Sequence, residues 1–284
     1  MLTSPLTPQQ RIGVLMPRKP VTLIPIEAPV QQSNFDLVEV LVAALAAAEY
    51  TLQNGDVLAV SSKYVAISEG RIVKLDDIQI TPAGAALAER YQMNPTIAQL
   101  VLQEADHIFG GIPGFLLTFK DGILSPNAGI DRSNIPGGSA VLFSSDPYIS
   151  AARLREAIQS RLNVEIGLIL TDSWLIPGRL GTSGIALATA GFAPVQDERG
   201  KLDLFGNPLV VTRRGIADTI CAAAELVMGE RDEATPFVIV RDTGVTLTDT
   251  PITAADVAIE WPMDIYVQSL TDGLLKTDPQ HPAS

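Results

Sequence analysis

Histidine and cysteine are almost missing from this chain: two histidines and one cysteine stand in 284 residues. A zinc site built from imidazole and thiolate needs more ligands than that, and Cys221 has no partner for an internal disulfide. His281 sits near the C-terminus and His107 precedes an Ile-Phe pair, so a Ser-His-Asp triad finds no suitable imidazole. Aromatic residues make up only 5%, and positive charge is outweighed, with 20 Lys and Arg against 32 Asp and Glu for a formal net charge of −12. Lysines and arginines form no cluster of the kind that gives a nucleic-acid binder its basic stripe. The longest helix-like apolar run, Val40–Ala48, falls far short of the roughly 20 residues that cross a bilayer. The first twenty residues hold no apolar signal core, and a cytoplasmic protein is expected.

What the chain does have is a hydrophobic fraction of 46%, enough at this length for one large or two small domains with a core that needs neither disulfide nor zinc. The scarcity of nitrogen and sulfur ligands narrows any metal to a hard cation, Mg, Mn or Ca, held by carboxylate, carbonyl and hydroxyl oxygens.

Strand and helix signals alternate between two tails, 1–20 and 273–284. Val21–Ile26 reads as a strand, and Ser33-Asn-Phe-Asp36 as a capping box opening a helix that runs to about Tyr50. Asn54-Gly55-Asp56 turns into the strand-length run Val57–Val60. Thr81-Pro82 and Asn94-Pro95 each place an N-cap before a proline, predicting helices over 82–91 and 95–105. Phe115–Phe119 and Gly122–Leu124 form a hairpin pattern, Ala140–Phe143 a strand, and Asp146-Pro147 opens a helix to about Leu162. Val164–Thr171 is almost continuously apolar and β-branched, the pattern of a strand buried on both faces. Gly178–Gly206 is too irregular for one helix; Arg213–Met228 is a helix stopped by Gly229, and Pro236–Val240 a last buried strand. The expected architecture is mixed α/β or α+β, a two-part protomer with mixed sheets. Its main unit spans 21–241 with a sub-boundary near Asp146, and a polar extension follows over 242–272.

Three stretches collect oxygen ligands. Asn127, Asp131, Ser133 and Asn134 crowd one loop, where they suit a hard cation with phosphate oxygens or, equally, an ordinary turn. Thr171-Asp172-Ser173 ends the buried strand, and ligands of open α/β sheets collect outside the carboxyl ends of strands. Glu230, Asp232 and Glu233 follow a helix C-terminus, where the helix dipole disfavours negative charge and a cation would relieve it. Arg179 and Lys201 in the glycine-rich stretch can meet a phosphate or carboxylate. No G-x-x-x-x-G-K-[ST] occurs, which excludes a P-loop NTPase.

Taken in order, Asn127-Ala-Gly-Ile-Asp131-Arg-Ser-Asn134, Thr171-Asp172-Ser173, Gly200-Lys-Leu-Asp-Leu-Phe-Gly206 and Ala223-Ala-Glu-Leu-Val-Met-Gly229 resemble the coenzyme F420-0:L-glutamate ligases, also called F420 gamma-glutamyl ligases. The resemblance implies a homodimer of mixed α/β protomers that binds GTP with Mn or Mg and a monovalent cation such as potassium. It also implies that glutamate is joined to a deazaflavin phospholactate by an amide bond. On the matching positions, Asp131, Asp172, Ser173 and Glu230 would ligate metal. Ser62, Asn134, Met228 and Gly229 would meet the nucleotide, with Lys63 and Arg179 the cations left to face it. Activating a carboxylate as an acyl phosphate is phosphoryl transfer, which calls for metal ions and positioning rather than a protein nucleophile, so a site without His or Cys suits it.

The chain departs from the family pattern twice. Leu175-Ile-Pro-Gly-Arg179 stands where the family usually has Gly-Arg-Pro-x-Arg, and Ile67-Ser-Glu-Gly-Arg71 where it has Ser-Lys-x-Glu-Gly-Arg. Two positive charges are absent. Their absence motivates one alternative to a ligase, a metal- or phosphometabolite-binding homologue without turnover; another, a metal-dependent phosphate-ester hydrolase, needs only the carboxylate cluster.

Overall fold

An uninterrupted apolar run is stable as a strand only where both faces are covered. The computed structural model, which describes residues 19–271, shows this at the centre of the chain. Leu58 and Val60 of β2 (Val57–Ser61) face one hydrophobic core, and Val57 and Ala59 face another. The expected tail at 273–284, with His281, and nearly all of that at 1–20 lie outside the described residues.

β2 lies in the middle of a five-stranded sheet ordered β1 (Thr22–Ile26), β12 (Phe237–Arg241), β2, β8 (Gly167–Leu175) and β9 (Thr182–Ala190). Only β2 and β8 run parallel; the other neighbours are antiparallel. On one face pack α1 (Leu37–Ala47), through Leu37, Leu41 and Leu45, and α5 (Pro147–Leu162), through Ala151, Leu154 and Ile158. On the other packs α6 (Ile216–Met228), through Ala217, Ile220, Cys221 and Ala224. The result is a three-layer mixed α/β unit.

The connection from β2 to β8 carries a second, smaller assembly. α2 (Ser62–Ser68) follows β2 directly, and β3 (Ile72–Lys74) pairs with β7 (Ser139–Val141). Between these, α3 (Pro82–Arg90) and α4 (Pro95–Glu104) pack with the sheet β4 (His107–Ile112), β5 (Phe115–Lys120), β6 (Ile123–Pro126) around Leu100, Val101, Leu116 and Leu142. A hairpin of β10 (Val195–Asp197) and β11 (Arg213–Gly215) projects an arm, and α7 (Ile265–Thr271) ends the described chain.

Several local expectations change. The cap of α1 is Asp36 itself, whose carboxylate accepts the Glu39 N–H, and not Ser33. The helix expected from Arg213 starts at Ile216, because Arg213–Gly215 pairs with β10. Within the stretch read as irregular lies all of β9. Its sequence, TSGIALATA, hides a strand because it lies between helices on both faces: α6 crosses so closely at Gly184 that a Cβ there would lie 2.5 Å from the Cys221 carbonyl oxygen, while Ala188 and Ala190 join the opposite core. His107, read as an isolated residue, opens β4 and packs its ring edge-on to Phe109.

One buried ion pair ties the sheet's end to the turn before β2. Asp56, whose side chain is 2% exposed, accepts from Arg241 Nε at 2.9 Å and Nη2 at 2.8 Å, and from the Gln53 N–H at 2.8 Å. Removing one partner of a buried pair strands the other charge, which costs about 3–5 kcal/mol. Arg241→Met is expected to lower the unfolding free energy in urea by about 3 kcal/mol; a loss of under about 1 kcal/mol would show that water reaches Asp56.

Candidate functional site

Because β2 and β8 are parallel, their carboxyl ends open on the same edge of the sheet, with Ser61 opposite Thr171. The next residues, Ser62 and Asp172, meet there: the Ser62 hydroxyl donates to Asp172 Oδ2 at 2.7 Å, and the Ser173 N–H to Oδ1 at 2.8 Å. A β-bulge between Leu170 and Thr171 shifts the register against β9 immediately before this point. Bulges re-aim the side chains that follow them, and this one sits next to the crevice.

Two loops close the crevice into a cavity of about 570 Å³. One follows β6 and holds Asp131 by reciprocal backbone hydrogen bonds with Val141, at 3.0 and 2.9 Å. Asp131 Oδ1 accepts the Ser133 N–H at 2.7 Å, while Oδ2 lies 2.6 Å from Lys63 Nζ on α2. Asn134, at φ 52°, donates from Nδ2 to the Arg231 carbonyl at 2.7 Å and so joins this loop to the second one. That second loop leaves α6 through Gly229, at φ 73°. The turn favours glycine there because that positive φ strains any residue with a Cβ, and the Glu233 carboxyl folds over the open space. Beyond it, Glu230 Oε1 accepts from the Thr182 hydroxyl at 2.8 Å. The segment Ala28–Gln32 forms the outer wall, pinned by the Tyr64 hydroxyl donating to the Pro29 carbonyl at 2.7 Å.

The cavity thus brings together Lys63, Asp131, Asn134, Asp172, Ser173, Met228, Gly229 and Glu230. Ser62 stands beneath rather than on its surface, with its hydroxyl spent on Asp172. Arg179 lies on the exposed tip between β8 and β9, and Lys201 pairs with Glu198 on the arm at 2.8 Å; neither lines the cavity. Asn127 accepts the Leu116 N–H and shapes its own turn. Trp174 stacks on Phe143 and donates to the Leu124 carbonyl, so it belongs to the wall packing. Burial pushes the Cys221 thiol far up, as suits a core residue.

Residues 25–242 match the family model described as F420-0:Gamma-glutamyl ligase. The chain belongs to that family. It is 36% identical over 227 residues to the coenzyme F420:L-glutamate ligase of Methanopyrus kandleri, covering 80% of this chain and 88% of that one. To the enzyme of the same name from Methanothermobacter thermautotrophicus it is 33% identical over 78% of this chain and 88% of the other. For that of Halobacterium salinarum the figures are 38%, 70% and 80%. Family membership makes the chain a carbon-nitrogen ligase by type. Among the described residues, no helix is long and apolar enough to cross a membrane.

The site of this ligase-family member holds more negative charge than its cations balance. Burial raises the Asp172 carboxyl to about 6, against the opposing hydrogen bonds from Ser62 and Ser173, and Asp131 adds to the rise. Glu225, a residue that the sequence reading passed over, is raised to about 8. Burial is the main cause, then the charge of Glu230 and a hydrogen bond to it, then Asp172. Its signal lay within Ala223–Gly229: it is four residues after buried Cys221 and three before buried Met228, on the inward face of the last turn of α6. Asp131 behaves oppositely. Burial disfavours its charge, but Lys63 and the Ser133 hydrogen bonds outweigh that and hold it below the ordinary carboxylate value.

This donor set of carboxylates and the Ser173 hydroxyl fits a hard divalent cation. Among the described residues, though, no three His, Cys, Asp or Glu side chains converge as a ready-made cage, so substrate oxygens or water must complete any coordination.

A carboxyl whose folded-state pKa is raised costs stability once it must ionise. The cost is absent below the unfolded value of about 4 and grows until the pH passes the folded value. Relative to Asp172→Asn, the metal-free wild type is therefore expected to lose stability as pH rises from about 4 to about 6 and to hold a constant difference above that. Denaturation midpoints across this range measure it; parallel profiles for the two proteins would mean that Asp172 is already solvated.

Proposed function

We propose that this protein is a GTP- and divalent-cation-dependent ligase that joins L-glutamate to a carboxylate of coenzyme F420-0 or a related acceptor through an acyl phosphate. The observation that carries the reading is the meeting of Asp131, Asp172, Ser173 and Glu230 at one cavity, on the carboxyl edge of the parallel pair, in a chain of this family. A bound Mn or Mg ion would neutralise phosphate charge there, held by Asp131, Asp172, Ser173 and Glu230, with potassium as the accompanying monovalent cation.

In this scheme the acceptor carboxylate attacks the γ-phosphorus, the bond to the β-phosphate bridging oxygen breaks, and GDP leaves. The glutamate amine then attacks the acyl carbon, inorganic phosphate departs, and the amine loses a proton. The protein's part is positioning and charge. Lys63, Asn134, Met228 and Gly229 border the space for the nucleotide, and Ser62 orients Asp172. The ligase unit corresponds to 21–241, and its place of action is the cytoplasm.

Purified protein with GTP, Mn, L-glutamate and F420-0 should release GDP and phosphate only when both co-substrates are present. Asp172→Asn should slow this by about a hundredfold or more. A second reading, a metal- or phosphometabolite-binding homologue without ligation, draws on Ile67, which is buried in the cavity wall where the family pattern carries a lysine. Cation-dependent GTP binding with no turnover on any carboxylate acceptor would favour it.

The functional unit is a homodimer in this proposal. Leu202, Leu204, Phe205, Val210 and Val211 are exposed on the arm between β10 and β11, an apolar surface that a monomer would leave in water. Light scattering should give a dimer for the wild type and a monomer for Leu204→Glu/Phe205→Glu; a monomeric wild type would refute the assignment.

A further inference from the structure

The cavity is an unwelcoming place for a polyphosphate. Among the described residues six acidic side chains border it, Asp131, Asp172, Glu225, Glu230, Asp232 and Glu233, against the cations Lys63 and Arg231. Arg231 projects outward with its side chain 82% exposed, and its Nε lies 3.8 Å from Glu233. Among the described residues that leaves Lys63 as the one cationic group on the inner wall, and its ammonium is fully engaged. An ammonium carries three protons. Here Nζ meets three acceptors: Asp131 Oδ2 at 2.6 Å, Ser133 Oγ at 2.8 Å and the Ser133 carbonyl at 3.1 Å. Asp131 is held just as firmly, by the Ser133 N–H at 2.7 Å and the Ser133 hydroxyl at 3.0 Å. A phosphate arriving alone would have to displace a carboxylate from its lysine while facing the charges of Asp172 and Glu230.

We propose that Asp131 locks Lys63: a divalent cation that takes the Asp131 carboxylate releases the ammonium to the polyphosphate, so the cavity admits the nucleotide only with or after the cation. The inference rests on the nucleotide- and cation-dependent reading above and adds an order to it. One carboxylate serves two partners in turn. Lys63 is satisfied in the empty cavity and becomes a phosphate ligand only when something else satisfies Asp131. The same exchange avoids leaving either charge unpaired at any stage, which a partly buried pair could not tolerate cheaply.

The test is equilibrium binding of GTP, and separately of inorganic tripolyphosphate, to the full chain in EDTA and in Mn. Wild type should bind both anions with Mn and neither in EDTA. Asp131→Asn keeps an acceptor for Ser133 but no charge for Lys63, so its binding of both anions in EDTA should improve by about tenfold to a hundredfold over wild type. Adding Lys63→Met to Asp131→Asn should cancel that gain. A gain of binding cannot come from a merely damaged fold, and Lys63→Met alone, which should weaken Mn-dependent GTP binding about tenfold, tests the same lock if Asp131→Asn does not fold. Wild-type binding of GTP in EDTA as tight as in Mn, or an Asp131→Asn protein with no gain, would overturn the lock while leaving the ligase reading in place. No GTP binding even with Mn, and no turnover, would instead remove the ligase reading on which it stands.

Discussion

The parallel pairing of β2 with β8 decides where this molecule can act. Two strands that run parallel must be joined by a crossover, and their carboxyl ends then share one edge of the sheet. Here the crossover is long. It carries α2, the smaller assembly around β4–β6, the Asp131 loop and α5 before the chain returns as β8. A single connection thus delivers Lys63 at its start and Asp131 partway along to the edge where β8 itself ends in Asp172. The antiparallel strands on either side extend the sheet without competing for this edge. They bring the remaining wall from the far end of the sequence: β12 next to β2, and α6 with Glu225 against β9, followed by the loop that carries Glu230.

Close packing of α6 on β9 is what lets acidic side chains of the helix reach the crevice. Gly184 has no Cβ, and the space is filled by the Cys221 carbonyl and by Glu225 Oε2, both 2.5 Å from where a Cβ would stand. A larger residue at 184 would push the helix outward and move Glu225 with it. Gly229 works similarly at the end of the helix, where its positive φ turns the chain back so that Glu233 folds over the glycine. The two glycines shape the wall by what they leave room for, and neither offers a functional group of its own.

These features explain which parts could be read in advance. α5 was legible to the residue because Asp146 caps it, Pro147 opens it and Leu162 precedes a left-handed Asn163, all local signals. β2 was legible because its burial on both faces is written as a continuous apolar run. The Asp172 position followed from the rule that a buried strand's carboxyl end opens on a crevice, although the strand itself starts three residues later than its apolar pattern and runs four residues further than expected, to Leu175. β9 was illegible because its small residues answer to tertiary packing on both faces, with α6 brought close at Gly184, a demand that no strand propensity encodes. Glu225 was passed over for a related reason. On a helix it looks like a solvated charge, and only the fold shows that its face of α6 turns toward Asp172 and Glu230.

The acidic composition also takes on a more local meaning. Most of the excess behind the net charge of −12 is exposed, and salt screens exposed charges beyond about 8–10 Å at physiological ionic strength. Such charges can set how the protein meets its surroundings, but they exert little force on a ligand deep in a cavity. The carboxylates of Asp172 and Glu225 are different. Partly or wholly buried, they are poorly screened by solvent and salt, and the charge of Asp172 adds to the cost of ionising Glu225. Lys63 relieves Asp172 only in part while Asp131 holds it at 2.6 Å, and the Asp172 carboxyl stays raised. The demand for a cation therefore arises from three or four side chains at one sheet edge. A surface engineered to neutrality would leave it intact, whereas one added lysine at position 67 would reduce it.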